Sequence, residues 1–127
     1  MKILTRDQFM DLPENVVYAM FAHGYMGPLC IKGASMPEMN QFLYSEISVA
    51  IVRHSTQEPL SSLAKAVNSG EPIELDFQTQ QCERDVMPNQ LFMTWEKDDV
   101  TRLVHRLMDC LLPVPSPSPP FPQNHEY

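Results

Sequence analysis

Several short segments of the chain carry residue types that could bind a ligand. His23 and Tyr25 fall in residues 23–28, His-Gly-Tyr-Met-Gly-Pro, where glycine and proline break regular structure. An imidazole and a phenol on such a turn could contact a ligand, although the glycines lack the spacing of a phosphate-binding loop and no Lys-Ser or Lys-Thr pair follows them. The alternative is a hairpin connection in which glycine supplies the backbone angles.

A second segment, Cys82-Glu-Arg-Asp85, lies in a polar stretch over residues 78–90 that is longer than most connections. Arg84 could pair bidentately with a carboxylate or phosphate of a partner, because its planar guanidinium presents matched donors. The alternative is an ion pair with its neighbours Glu83 and Asp85. Cys82 would be a nucleophile only if a nearby cation lowered its pKa, and the sequence does not place a histidine beside it.

The remaining titratable residues form no catalytic or metal motif. His54 and Glu58 lack further ligands, and His105 is expected to pair with Asp109 on the outer side of a helix. Four acidic residues concentrate on one predicted strand and the loop after it: Glu74, Asp76, Glu83 and Asp85. They could form a solvated face, a negative face for a basic partner, or an acid–base pair. The sequence therefore predicts no catalytic residue, no cofactor and no metal.

The last residues form a proline-rich segment that could dock on another protein. Pro117-Ser-Pro-Pro120 and the overlapping Pro119-Pro-Phe-Pro122 both have the P-x-x-P spacing of polyproline II ligands. No Arg or Lys flanks them to set the docking orientation, and the alternative is a disordered terminal tail. Phe121 could still anchor the tail on the body or on a neighbouring subunit. We therefore expect one domain over residues 1–112 and a tail over 113–127.

Composition narrows the classes of partner. The 127 residues carry a net charge of −7, which argues against binding nucleic acid or an anionic membrane, since both require Lys and Arg to meet phosphates. The three cysteines are widely spaced, so a disulfide framework is not expected and a reducing, cytoplasmic setting fits best. The N-terminus becomes charged too early for a signal peptide, and no apolar run is long enough to span a membrane.

Local patterns indicate the elements that must position these residues. Thr5 and Gln8 match a capping box that opens a short helix ending near Met10. Runs of β-branched or aromatic residues, or of alternating apolar and polar residues, predict strands. Apolar residues at helical spacing predict a helix that begins after residue 56 and ends before Gly70. The predicted strands cover residues 16–21, 29–32, 41–53, 73–77 and 91–95, the first two forming a hairpin.

The strongest periodic signal belongs to a final helix, capped by Asp98. Its apolar residues recur at helical spacing and are expected to face the core: Val100, Leu103, Val104, Leu107, Met108 and Leu111. The element order predicts an α+β fold with a mostly antiparallel sheet of about five strands. Two main helices would pack on one face, with the short N-terminal helix on the same or the opposite face.

Two segments carry a resemblance to a class of proteins. The opening Met-Lys-Ile-Leu-Thr-Arg-Asp-Gln-Phe-Met-Asp-Leu-Pro and the closing Gln90-Leu-Phe-Met-Thr-Trp-Glu-Lys-Asp-Asp-Val-Thr-Arg-Leu resemble small phage or prophage accessory proteins. The resemblance covers under a quarter of the chain. It implies a protein of the host cytoplasm with no enzymatic activity attached, and such proteins often act by binding a host protein, sometimes one of a defence system.

The sequence as a whole favours a non-enzymatic binding protein. Its expected partner is a host protein, with a homo-oligomer as the other assembly. The surfaces expected to carry binding are the tail, the Cys82–Asp85 loop and the acidic strand. A second hypothesis is a binder of a nucleotide-like small molecule that uses the turn at His23 and Tyr25 together with Arg84, and a small enzyme is the third.

Overall fold

A seven-stranded antiparallel sheet forms the centre of the protein. The structure is a computed structural model that describes residues 1–22, 24–50, 59–84 and 86–113. The strands are β1 (Lys2–Leu4), β2 (Val17–Ala22), β3 (Tyr25–Met26), β4 (Cys30–Met36), β5 (Gln41–Glu46), β6 (Gln81–Cys82) and β7 (Leu91–Thr94). Their order across the sheet is β1-β7-β2-β4-β5-β6, and β3 pairs with β2.

Three α-helices accompany the sheet and confirm the α+β class. They are α1 (Arg6–Met10), α2 (Pro59–Ser69) and α3 (Lys97–Asp109), and a short 3₁₀ turn spans Pro37–Met39. The capping box of α1 forms as the sequence predicts, because the Thr5 hydroxyl accepts from the Gln8 N–H and the Gln8 side chain accepts from the Thr5 N–H. Gly70 follows α2 with a φ of 71°, in the left-handed region expected after a helix C-terminus.

Several strands differ from the prediction. β1, β3 and β6 were not expected, and β4 continues to Met36 through a bulge where a connector was predicted. The strand predicted over residues 73–77 is reduced to a single bridge at Leu75. The reason lies in Asp76, whose carboxylate accepts from the backbone N–H groups of Gln78 and Thr79 and so turns the chain. The strand predicted over residues 41–53 ends at Glu46 as β5 and is followed by a turn, and residues 51–53 lie outside the described residues.

An aromatic cluster under α1 forms the core. Phe9 is fully buried and stacks on Phe92 with ring centroids 4.1 Å apart. Its ring also meets the edges of Tyr18 at 4.7 Å and Phe42 at 5.1 Å. These partners come from β2, β5 and β7, so one side chain of a five-residue helix joins three strands. Aromatic burial of this kind is a large contribution to the stability of so small a core.

Among the side chains that the structure describes, α3 and residues 63–69 of α2 do not contribute buried residues as expected. α3 begins one residue before its predicted cap, with Glu96 as N-cap and Asp99 completing a capping box. No residue of α3 is buried, and Leu107 and Met108 are 53% and 55% exposed. In α2, Val67 is 84% exposed. The expectation that the apolar stripe of α3 faces the core is therefore corrected: the core is completed by α1 and the sheet, which leaves the stripe at the surface.

Candidate functional site

The pairing of β2, β4 and β5 builds the floor of a cavity on the face of the sheet that α1 also covers. Tyr18 lies opposite Cys30, and Cys30 lies opposite Glu46, so the three side chains form one row across three strands. Met20 follows Tyr18 by two residues in β2, and Tyr44 precedes Glu46 by two residues in β5, so both project from the same face. We call this space, of about 420 Å³, the sheet cavity; its remaining described lining residues are Pro28, Glu83, Arg84 and Met87.

A buried ion pair holds the loop that forms one wall of the sheet cavity. Arg6 of α1 donates to both carboxylate oxygens of Glu83, with Nη1 2.7 Å from Oε2 and Nη2 2.5 Å from Oε1. Arg6 Nη2 also donates to the Asn40 carbonyl at 2.6 Å. Both side chains are about 4% exposed, and the bonds to Glu83 raise the pKa of Arg6 above its usual value. The pair therefore fixes residues 83–84 over the sheet and neutralises the Glu83 carboxylate.

Two polar groups of the floor, the Cys30 thiol and the Tyr18 phenol, remain protonated at neutral pH. Burial raises the pKa of the Cys30 thiol to about 11, with a further contribution from the negative charge of Glu46. The thiol donates to the Pro28 carbonyl at 3.7 Å. Burial likewise raises the pKa of Tyr18. Tyr18 and Cys30 therefore present neutral, weakly polar surface, and the Cys30 thiol is held in its less nucleophilic form.

A buried lysine anchors the end of α1 on the same face of the sheet. Lys32 Nζ donates to the Leu12 carbonyl at 3.0 Å, the Gly33 carbonyl at 3.1 Å and the Ser35 hydroxyl at 2.7 Å. Ser35 in turn donates to the Met10 carbonyl at 2.7 Å. Burial lowers the pKa of Lys32. These bonds occupy all three protons of the ammonium group, so Lys32 has a structural role beside the cavity.

Of the two described residues that were predicted to bind a ligand, Arg84 and Tyr25, Arg84 is the one that lines the sheet cavity. It is exposed at the edge of the sheet cavity and makes no ion pair with any described residue, while its neighbour Glu83 is committed to Arg6. Tyr25 is 71% exposed on β3 and is not among the described lining residues, so the two are not brought together. His23, Asp85, Pro117, Pro120 and Phe121 lie outside the described residues.

Two of the other expectations for loop residues can be compared with the structure. Glu83 was expected on a solvated or partner-facing acidic surface, and it is buried in the pair with Arg6. Cys82 is exposed on β6, where its thiol donates to Gln41 Oε1 at 3.3 Å. Arg6 gave no signal in the sequence, because an arginine in the first turn of a helix is usually solvated and its partner lies 77 residues away.

The second surface of interest is the exposed apolar face at the end of α3. We call it the α3 stripe; it consists of Val104, Leu107 and Met108 on the helix and Leu111 and Leu112 in the turn that follows it, which are 46–85% exposed. The start of the helix is tied to β1, because the N-terminal ammonium of Met1 donates to Asp99 Oδ2 at 2.7 Å and Lys2 lies 3.3 Å from Glu96. The first turn of α3 is thus attached to the sheet, and the stripe lies on the opposite half of the helix.

The described residues contain neither a metal-binding cluster nor a membrane-spanning helix. Across residues 1–22, 24–50, 59–84 and 86–113, no three His, Cys, Asp or Glu side chains are grouped so that they could hold a metal ion. In the same ranges, no helix combines the length and apolar character needed to cross a membrane.

The fold and these two surfaces define an α+β protein with an open cavity on its sheet and an exposed amphipathic helix at the end of its described part. Comparison of the chain with protein-family models, with curated proteins and with solved structures finds no match. Function must therefore be argued from the two surfaces themselves.

Proposed function

We propose that the protein is a non-enzymatic binding protein that inserts the α3 stripe into an apolar groove of another protein. In keeping with the resemblance of its two terminal segments, the proposed setting is the cytoplasm of a host cell, and the proposed partner is a host protein bound by a phage or prophage product. The observation that carries the proposal is the exposure of the α3 stripe.

The spacing of the stripe fits a helix that docks in a groove. Val104, Leu107, Met108 and Leu111 stand at positions i, i+3, i+4 and i+7, the anchor pattern of amphipathic helices bound in hydrophobic grooves. Covering them removes apolar area on the order of 300 Å² from water, worth roughly 7 kcal/mol before the costs of association. A surface patch of this size on a small protein commonly marks an interaction site.

The apolar area of the stripe also favours docking in a groove of another protein rather than packing against α3 of a second copy. Two stripes packed against each other would bury roughly 600 Å² in total, whereas specific interfaces usually bury about 1,200 Å² or more. A groove encloses the helix on three sides and adds the flanks of α3 to the buried surface. The charges of α3 sum to zero, because Lys97, Arg102 and Arg106 are matched by Asp98, Asp99 and Asp109, so the partner's groove needs no strong charge of its own.

The protonated Tyr18 and Cys30 side chains of the sheet cavity are also consistent with a binding role. The Cys30 thiol has a pKa raised to about 11, which is opposite to the lowered pKa of a catalytic cysteine. Glu83 in the wall is committed to Arg6. These groups stabilise the fold and shape the cavity, so we assign no catalytic residue.

The test uses two variants of the full chain that change the net charge equally. Leu107→Glu places a charge in the middle of the stripe, and Arg102→Gln changes the charge by the same amount on the polar side. Each protein is immobilised and exposed to cytosol of the bacterium in which the sequence occurs, and its free mass is measured by light scattering. Wild type and Arg102→Gln should retain the same stoichiometric partner, and Leu107→Glu should lose it while remaining folded.

Two results would overturn the proposal. Equal retention by all three proteins would show that the α3 stripe is not the docking surface. A free wild-type chain that is a discrete dimer, and that becomes monomeric on Leu107→Glu, would show that the stripe is covered by a second copy.

A further inference from the structure

We propose that the sheet cavity is a binding site for a small amphipathic monoanion: a compact apolar or aromatic body that carries one carboxylate, with the carboxylate held by Arg84. This inference is independent of the α3 stripe, because it depends on other residues of the fold.

The floor of the cavity selects an apolar body. Tyr18, Met20, Cys30 and Tyr44 present aromatic faces, a thioether and a neutral thiol, all of which favour contact with rings and alkyl chains. The volume of about 420 Å³ lies near the lower end of the range of roughly 300–1,000 Å³ for small-molecule sites. A compact molecule with one ring or a short chain therefore fits better than a dinucleotide or a large cofactor.

The charges around the cavity select a single negative group. Arg84 is exposed at the edge and makes no ion pair with the described part of the chain, so its guanidinium is available to a carboxylate, which matches its donor geometry. Glu46 adds a carboxylate to the lining of the same cavity. Among the described lining residues Arg84 is the one cation, so a single carboxylate matches the cavity better than several phosphates, and the nucleotide-like ligand considered from the sequence is disfavoured.

The cavity is also held open before any ligand arrives. Glu83 and Arg84 are adjacent, and the two bonds from Arg6 to Glu83 fix the backbone from which Arg84 projects. A fixed anchor reduces the entropy lost when a ligand is bound.

The experiment titrates the full chain with 3-phenylpropanoate and with its uncharged amide, followed by two-dimensional amide NMR. The carboxylate should shift the amide signals of residues lining the sheet cavity and bind at least about tenfold more tightly than the amide, since the amide cannot form charge-assisted bonds. Arg84→Gln should weaken carboxylate binding about tenfold or more and leave amide binding unchanged. Arg102→Gln, which removes an exposed cation from α3, should change neither affinity.

Several results would overturn the proposal. These are the absence of signal shifts at millimolar carboxylate, equal affinity for the acid and the amide, an affinity that Arg84→Gln leaves unchanged, or shifts confined to α3. A short peptide with a free C-terminal carboxylate is titrated in parallel. If the peptide binds at the cavity and 3-phenylpropanoate does not, the site is a peptide site and the small-molecule assignment is wrong.

Discussion

The loss of stability on truncating Leu107 distinguishes an α3 stripe that packs in the core from one that is exposed at the surface. If its stripe faced the core, Leu107→Ala would leave a cavity and destabilise the protein by about 2–5 kcal/mol. In the structure Leu107 is 53% exposed, so the change forfeits about half of the ~2–3 kcal/mol that full burial of a leucine is worth. Alanine has a slightly higher helix propensity, which returns a few tenths of a kcal/mol. We therefore expect a loss of about 1 kcal/mol or less.

The comparison variant is Phe9→Ala, because Phe9 is fully buried among three aromatic rings. Its truncation should cost about 3–5 kcal/mol. Urea unfolding followed by the fluorescence of Trp95 measures both. With a slope of about 1.5 kcal/mol per molar urea, the midpoint should fall by less than ~0.7 M for Leu107→Ala and by ~2–3 M for Phe9→Ala. A midpoint loss for Leu107→Ala that approaches that of Phe9→Ala would refute the exposed position of the stripe.

Three further predictions concern buried groups of the sheet face. Glu83→Ala should destabilise the protein by about 3–5 kcal/mol, since it leaves the Arg6 charge buried, whereas the double variant Arg6→Met/Glu83→Leu should unfold near the wild-type urea midpoint; equal losses for both variants would contradict a buried pair. Raising the pH from 9 to 11 should lower the unfolding free energy, because the Cys30 thiol ionises in the unfolded chain near its ordinary pKa and in the fold only near about 11. Cys30→Ala should reduce that loss by on the order of 2–3 kcal/mol, as followed by chemical denaturation at each pH. In a thiol-reagent assay at pH 8, exposed Cys82 and Cys110 should react quickly and buried Cys30 only after denaturation; three equally fast thiols would be inconsistent with this burial.

The elements that were predicted correctly are those in which neighbouring residues supply the interactions. The capping box at Thr5 and Gln8 and the helix that ends before Gly70 both depend on contacts within a few positions of the chain. Arg84 was also identified as a candidate, because an arginine in a long polar loop of an acidic protein is unusual enough to notice. The strand expected at residues 73–77 failed because the side chain of Asp76 competes with pairing, which alternation of apolar residues does not reveal.

The sequence alone thus determined the positions of the three helices α1, α2 and α3 and, to within one residue, the starts of β2, β4, β5 and β7, and it showed that α3 has one apolar face. It could not determine what covers that face, because amphipathicity states only that a surface avoids water and does not name its partner. The tertiary structure decided this by filling the core with Phe9 and three strands, which leaves the stripe of α3 exposed. It also decided the site, because the row Tyr18–Cys30–Glu46 and the pair Arg6–Glu83 join residues that meet only when the strands are paired in register.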